Sequence, residues 1–280
     1  MKSKIEISGG SCVDVPVEVM VFSGGEVNVK LPEIALYFGD LILINTCIAD
    51  SDGIMALALT KNALEQEALR QGVILDDIVL DLAYTPYARQ DRVCNQGEAL
   101  SIKVFADMIN AMNFERVFIT DPHSEVTPAL INNVVVTDQY ETFFEENQVS
   151  PDKYHAFVAP DAGATKKVLT LLNKLSNHNI DFIQGLKYRD TKTGALSGFD
   201  FLGDVEGKNL LIVDDICDGG GTFVGLAQLL LDQGAKSVDL MVTHGIFSKG
   251  VEVLLDSGIN HIYTTDSFPH GQTHESLTVI

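Results

Sequence analysis

The chain has 280 residues, enough for one large or two ordinary domains, and 46% of them are hydrophobic, so a sizeable core can be built. Nineteen Lys and Arg stand against 39 Asp and Glu, giving a formal net charge of −20. That balance excludes nucleic acid or an anionic membrane surface as the main partner, because phosphate backbones need positive patches, yet it leaves room for a small phosphorylated ligand.

No apolar run reaches the roughly 18 residues of a membrane-spanning helix, and the amino-terminal MKSKIEISGG lacks the apolar centre of a signal peptide, so neither is expected. Cys12, Cys47, Cys94 and Cys217 form no CxxC pair. They offer neither zinc spacing nor a redox dithiol, and a reducing cytosolic setting is the simplest expectation.

In chain order, residues 18–22 and 26–30 flank Ser23-Gly24-Gly25 and predict a hairpin. Residues 41–45 predict a strand and 54–70 a helix, with Ser51 or Asp52 as its cap. A strand over 77–82 leads into the polar loop 84–92, followed by an amphipathic helix over 100–112. A strand over 116–120 ends in Asp121-Pro122-His123-Ser124, and a helix start over 126–131 and a strand over 134–137 follow. The second half repeats the plan: strand 154–159, helix 164–175, strand 181–184, a polar stretch 187–207 with the character of a β-flap, strand 209–213, helix 223–233, strand 237–242, helix 251–257 and strand 261–264. Alternating strands and helices with polar loops at the strand ends predict right-handed crossovers and mostly parallel sheets flanked by helices. Two similar α/β domains are expected, 1–143 and 144–280, joined through the acidic stretch 138–152.

The most informative stretch is NLLIVDDICDGGGTFVG, residues 209–225. Four consecutive apolar residues read as a strand buried on both faces, and the residues after Thr222 recur at helical spacing. The acidic, glycine-rich segment between them stands where open α/β sheets bind ligands. Its glycines allow close backbone approach, and the N–H groups of the first helical turn suit a phosphate. No GxxxxGK[ST] is present, so this is not a P-loop. Two carboxylates beside an anion cradle suit vicinal hydroxyls next to a phosphate, as in a ribose phosphate; a generic acidic turn is the plain structural alternative.

Other strand ends carry charge. Arg89 and Arg92 in Arg89-Gln90-Asp91-Arg92 suit polyphosphate, or else a surface salt-bridge loop. Asp121 and His123 suit a Mg²⁺–nucleotide, or else a helix cap and a solvated histidine. Asp161 suits Mg²⁺ as a hard oxygen ligand, or else caps the following helix. Lys187 and Arg189 open the flap and suit neutralisation of a transferring phosphoryl group, or else form an exposed basic hairpin. The other histidines show no ligand spacing.

Together and in order, these pieces resemble the ribose-phosphate diphosphokinase (PRPP synthetase) family and its type I phosphoribosyltransferase fold. The resemblance runs through Phe22-Ser23-Gly24-Gly25-Glu26, Pro86-Tyr87-Ala88-Arg89-Gln90-Asp91-Arg92, Asp121-Pro122-His123, Ala159-Pro160-Asp161-Ala162-Gly163-Ala164, Lys187-Tyr188-Arg189, the loop at 214–222 and Thr243-His244-Gly245. It implies transfer of the β,γ-diphosphate of ATP to the anomeric hydroxyl of ribose 5-phosphate, with release of AMP. By analogy Arg89, Gln90, Asp91 and Arg92 hold ATP with His123, while His123 and Asp161 serve Mg²⁺. Lys187 and Arg189 stabilise the transition state. Asp214 and Asp215 hold the ribose hydroxyls, and Asp218, Gly219, Gly220, Gly221 and Thr222 cradle the 5-substituent. Phe22 and Glu26 would reach adenine in a neighbouring subunit, implying a homodimer or larger homo-oligomer with a shared ATP site.

The chain departs from the family pattern at Gly24, in place of an aspartate that reads adenine, and at Val93-Cys94-Asn95-Gln96-Gly97, in place of basic residues. It also ends before the family's usual carboxyl-terminal helix, so the family's hexamer and allosteric control are not carried over. Gly219 stands where the family has Thr or Ser. A cradle without that hydroxyl admits a second acceptor, a ribose whose 5-phosphate continues into a larger group, such as ADP-ribose. A third reading is a non-catalytic regulatory homologue, and a phosphoribosyltransferase using PRPP would leave the Arg89 loop unexplained.

Overall fold

A computed structural model describes residues 3–145, 148–189 and 196–280, with the side chains of 188–197 outside the described set. The chain forms two compact units, 1–137 with 267–269 and 138–266 with 270–280. The division at 143/144 expected from sequence falls inside the second unit, because Phe143 and Phe144, on a π-helical turn Tyr140–Glu145, are buried in that unit's core.

The first unit is built on a six-stranded sheet in the order β2-β1-β5-β6-β7-β8. Its strands are β1 (Lys4–Gly9), β2 (Cys12–Pro16), β5 (Leu41–Cys47), β6 (Asp77–Leu82), β7 (Val117–Thr120) and β8 (Val134–Thr137). β5 to β8 run parallel, while β1 is antiparallel to both its neighbours. Alternate residues of the strands (Ile42, Ile44, Leu80, Leu82, Val117, Ile119) meet Leu57 and Leu64 of α1 (Ser51–Gln71) and Ile102 and Phe105 of α2 (Ser101–Ala111) in one buried cluster. The cap of α1 is Asp50, one residue before the expected Ser51. Its Oδ1 accepts the Gly53 N–H at 2.9 Å, and its extended φ of −151° is the geometry that a capping residue needs. The short α3 (Val126–Leu130) stands where a helix start was expected. The expected hairpin forms a separate two-stranded sheet, β3 (Glu18–Val21) with β4 (Val27–Lys30), and its tip is exposed.

The second unit holds a seven-stranded sheet in the order β11-β10-β9-β12-β13-β14-β15. Its strands are β9 (Ala156–Ala159), β10 (Asp181–Arg189), β11 (Leu196–Leu202), β12 (Asn209–Cys217), β13 (Ser237–Gly245), β14 (Ile259–Thr264) and β15 (Leu277–Val279). All pairs are parallel except β10–β11. The sheet is buried on both faces, which accounts for the unbroken apolar runs. Leu210, Ile212, Leu240 and Val242 pack with Phe223, Leu226 and Leu230 of α5 (Gly221–Asp232). Leu211, Val213 and Met241 pack with Val168 and Leu171 of α4 (Thr165–Lys174).

Three expectations change. The helix expected at 251–257 is only the single turn α6 (Glu252–Leu255), with Gly258 at φ 95° closing it off. Strand β15 follows a segment of turns and polar residues that gave no periodic signal. Most important for the site, β12 continues four residues past Val213, so Asp214 and Asp215 lie on the central strand and not in the loop. The register explains this: β13 is also long, and Asp214 pairs with Val242, Ile216 with His244 and Cys217 with Gly245.

Candidate active site

The central strand delivers two adjacent carboxylates to its carboxyl end. Asp215 is buried, and its N–H donates to Asp214 Oδ1 at 2.9 Å. Gln139, itself buried, donates from Nε2 to the Asp214 carbonyl at 2.6 Å and to Thr243 Oγ1 at 3.2 Å. Burial, reinforced by the neighbouring Asp215 charge, raises the Asp214 carboxyl well above the ordinary carboxylate range. A carboxylate held in so unfavourable a place is a mark of function, since hydroxyl donors from a ligand would relieve it. Cys217 ends the strand as a buried thiol pushed up to about 12 by burial and by Asp214 and Asp218, which favours the neutral thiol over the thiolate.

After Asp218 and Gly219, Gly220 turns the chain at φ 74°, a left-handed conformation that favours glycine. Helix α5 then begins at Gly221, two residues earlier than the periodicity indicates, and Thr222 stands half-buried in its first turn. The first helical bond runs from the Val224 N–H to the Gly220 carbonyl at 3.0 Å, so the N–H groups of Gly221 and Thr222 precede the helical ladder. Strand end, glycine turn and helix start together set free N–H groups beside two carboxylates, an arrangement whose chemistry suits an anion next to hydroxyl groups.

In the same unit, Asp161 follows β9 and does two jobs. Its Oδ1 accepts the N–H groups of Gly163 at 2.7 Å and Ala164 at 3.2 Å, tightening the entry to α4, and its Oδ2 accepts from Lys187 Nζ. Burial alone would raise this carboxyl, yet Lys187 and the two backbone donors leave it below its usual value. Gly185 makes the pairing possible: a Cβ there would lie 2.7 Å from the Ala159 carbonyl oxygen and 2.9 Å from that of Pro160. The polar stretch read as a flap is the antiparallel hairpin β10–β11, pairing Lys187 with Phe199. Arg189 ends β10, and its side chain lies outside the described residues.

The first unit gathers the other charged loops. Arg89, Gln90 and Arg92 are exposed after β6, whereas Asp91 turns inward. Asp91 Oδ1 accepts from Arg92 Nε at 3.1 Å. Although partly buried, its carboxyl is lowered by hydrogen bonds from Ser124 and Arg92 and by the nearby His123. Asp91 therefore ties the Arg89 loop to the Asp121–Ser124 loop. Both loops carry a non-glycine residue in the left-handed region, Tyr87 at φ 64° and Asp121 at φ 40°, of the kind that concentrates at functional sites. Asp121 is buried and donates its N–H to the Thr137 carbonyl at 2.8 Å. Phe22 and Glu26 lie exposed on the β3–β4 hairpin, closed by the Phe22 N–H donating to the Glu26 carbonyl at 2.9 Å.

The remaining histidines serve the scaffold: His155 Nδ1 accepts the Asn209 N–H at 3.1 Å, and His261 Nε2 meets Thr278 Oγ1 at 2.8 Å. Sequence reasoning passed over Gln139, Gly185 and Ser124. Only Gly185, a glycine inside a strand, carried a local signal, that of a close backbone approach.

This arrangement of strands, crossovers and a cradle beyond the central strand is the phosphoribosyltransferase type of α/β fold. A crystal structure of phosphoribosylpyrophosphate synthetase from Mycobacterium smegmatis superposes with a TM-score of 0.78 at 22% identity, covering 94% of this chain and 85% of that one. Residues 178–278 match the Phosphoribosyl synthetase-associated domain family. Ribose-phosphate pyrophosphokinase of Aquifex aeolicus is 30% identical over 256 residues, covering 90% of this chain and 78% of the relative. That of Thermosipho africanus is 28% identical over 268 residues, covering 94% and 81%. The chain belongs to the ribose-phosphate pyrophosphokinase family.

Proposed function

We propose that this protein is an ATP-dependent diphosphokinase that transfers the β,γ-diphosphate of ATP to the anomeric 1-hydroxyl of ribose 5-phosphate, giving PRPP and AMP. The observation that carries the reading is the pairing, in one unit, of the Asp214–Thr222 cradle with the Lys187–Asp161 contact. A cradle accounts for a ribosyl acceptor, and a flap lysine accounts for a phosphoryl group in motion. Attack of the sugar hydroxyl at the β-phosphorus asks the protein for positioning and charge neutralisation, not for a covalent intermediate. Arg89, Gln90 and Arg92 would hold the polyphosphate, with Asp91 setting the angle of Arg92. Lys187 and Arg189 would neutralise the charge that develops on the transferring group.

Mg²⁺ fits the donor set. A hard carboxylate such as Asp161 suits the ion, which takes few protein ligands and fills its shell with substrate phosphates and water. Asp161 would be one of its ligands, and it would supply charge neutralisation on the ATP oxygens. The exposed tip of the β3–β4 hairpin supports a homo-oligomer in which Phe22 and Glu26 reach a neighbouring subunit's adenine.

A second acceptor reading rests on Gly219. A Cβ on this residue would have only side-chain atoms as its nearest neighbours, at 3.5 Å and beyond, so the backbone does not force glycine there. The missing hydroxyl removes one fixed contact to a terminal phosphate, as a larger 5-substituent such as that of ADP-ribose would require. Incubation with ATP, Mg²⁺ and each acceptor in turn separates the readings by AMP release. AMP with ribose 5-phosphate alone supports the first, and AMP with ADP-ribose alone supports the second. AMP with neither would leave the non-catalytic, regulatory reading.

A further inference from the structure

Sequence reading stopped at Gly219, a lost hydroxyl in the cradle. What lies against that position comes from a loop 30 positions further along the chain. After β13, the N–H groups of Ile246 and Phe247 donate to the Cys217 carbonyl at 2.8 and 3.1 Å, and the Ser248 N–H donates to the Asp218 carbonyl at 3.1 Å. The loop is therefore laced onto the cradle by three backbone bonds. Phe247 anchors it in the core, and Gly250 turns it at φ 80°. Between these fixed points Lys249 extends over Gly219. A Cβ on Gly219 would lie 3.5 Å from Lys249 Cε and 3.7 Å from its Cδ, with Ser248 Oγ at 3.9 Å. Among the described residues no carboxylate pairs with Lys249, although the chain carries 39 Asp and Glu. An exposed ammonium left unpaired in so acidic a molecule, on a stem that covers the vacated hydroxyl position, has an evident counterion: the phosphate that the cradle receives.

We propose that Lys249 is an acceptor-binding, specificity-determining residue, whose ammonium replaces the missing hydroxyl and holds the phosphate or diphosphate on the 5-carbon of the ribosyl acceptor. The proposal rests on the reading of the 214–222 segment as the acceptor cradle. A hydroxyl binds one phosphate oxygen in a fixed direction. An ammonium on a flexible stem acts as a compact charge with three rotatable donors, and it tolerates both a terminal phosphate and one that continues into a second phosphate. Gly219 and Lys249 thus form one device, the lysine stem packing over the point where a side chain at 219 would begin.

Equilibrium binding of the intact protein, wild type and K249M, to ribose 5-phosphate, to ADP-ribose and to ATP tests this without turnover. Methionine keeps an unbranched stem against Gly219 and removes the charge. Loss of a charge-assisted hydrogen bond weakens binding roughly tenfold or more, so K249M should lose that much for a ribosyl ligand while ATP affinity stays within twofold. K249R should recover most of the loss. A fall for both ribosyl ligands places the ammonium on the first phosphate, and a fall for ADP-ribose alone places it on the second; either supports the proposal. Unchanged ribosyl affinity, or an equal fall for ATP, overturns it. Wild type that binds neither ribosyl ligand overturns the cradle reading and this inference together.

Discussion

Lys187 Nζ donates to Asp161 Oδ2, joining the flap hairpin to the loop that follows β9. One carboxylate thus anchors a helix entry, through Gly163 and Ala164, and also the flap cation. In the proposed reaction the lysine would exchange this partner for the transferring phosphoryl oxygens, which would free the carboxylate as one ligand that could hold Mg²⁺. Lys187→Ala should lower the rate of AMP release by about 10²–10³-fold, the range for losing one preorganised transition-state donor, and leave ATP affinity within threefold. A comparable loss of both would mean that the flap lysine serves structure only.

The same pair predicts a pH dependence of stability. The folded-state pKa of Asp161 is lowered, so its contribution is present above the ordinary carboxylate value of about 4 and is lost as pH falls through the folded value. Asp161→Asn should unfold at lower temperature than wild type at pH 7, and the gap should close toward pH 2. A gap that stays constant across this range contradicts the assignment.

Asp214 predicts the opposite sign. Its folded-state pKa is raised by burial and by Asp215, so ionisation opposes folding, and stability falls as pH climbs above about 4 toward the raised value. Asp214→Asn should therefore melt above wild type at pH 7, lose that advantage near pH 4, and bind the ribosyl acceptor more weakly. Such a trade of stability for binding is common at functional sites. A melting temperature at or below that of wild type at pH 7 would show that the carboxylate is not strained.

Asp91 offers a test of the first unit. It positions Arg92 and ties it to the loop carrying Ser124 and His123. Asp91→Ala should weaken ATP binding by roughly tenfold, the scale of a lost hydrogen bond to a charged group, with acceptor affinity unchanged. Equal weakening of both would point to a general loss of folding.

Gly185→Ala should cost about 1–3 kcal/mol of stability, the usual penalty for overpacking a filled site, because the added Cβ meets carbonyl oxygens of Ala159 and Pro160. It should also push β10 from β9 and loosen the Lys187–Asp161 contact. A variant as stable as wild type, by chemical denaturation, would show that the strand has room to shift.

Local patterning carried much of the fold. The runs 41–45, 77–82, 209–213 and 237–242 read as strands, and all four are strands; 209–213 is unbroken because β12 is buried on both faces, whereas β5 alternates buried with half-buried residues. The hairpin tip and the glycine turn before α5 were equally legible, since φ and side-chain size act within a few residues. The charged strand ends at Arg89, Asp121, Asp161 and Asp214 marked the candidate sites, because polar groups at the ends of buried strands have no other place to go.

Contacts between distant segments decided the rest. Asp214 and Asp215 belong to β12 because a long β13 offers them backbone partners, and no property of the DDIC stretch itself announces that register. Lys187 meets Asp161 across 26 positions because Gly185 lets two strands close, and Lys249 covers Gly219 because a loop is laced to the cradle through main-chain bonds. Sequence determined which chemical groups stand at the strand ends, since burial and backbone geometry are local demands. Tertiary structure alone decided which of those groups are neighbours, and with that the charge that each one carries and the ligand atom that each one can meet.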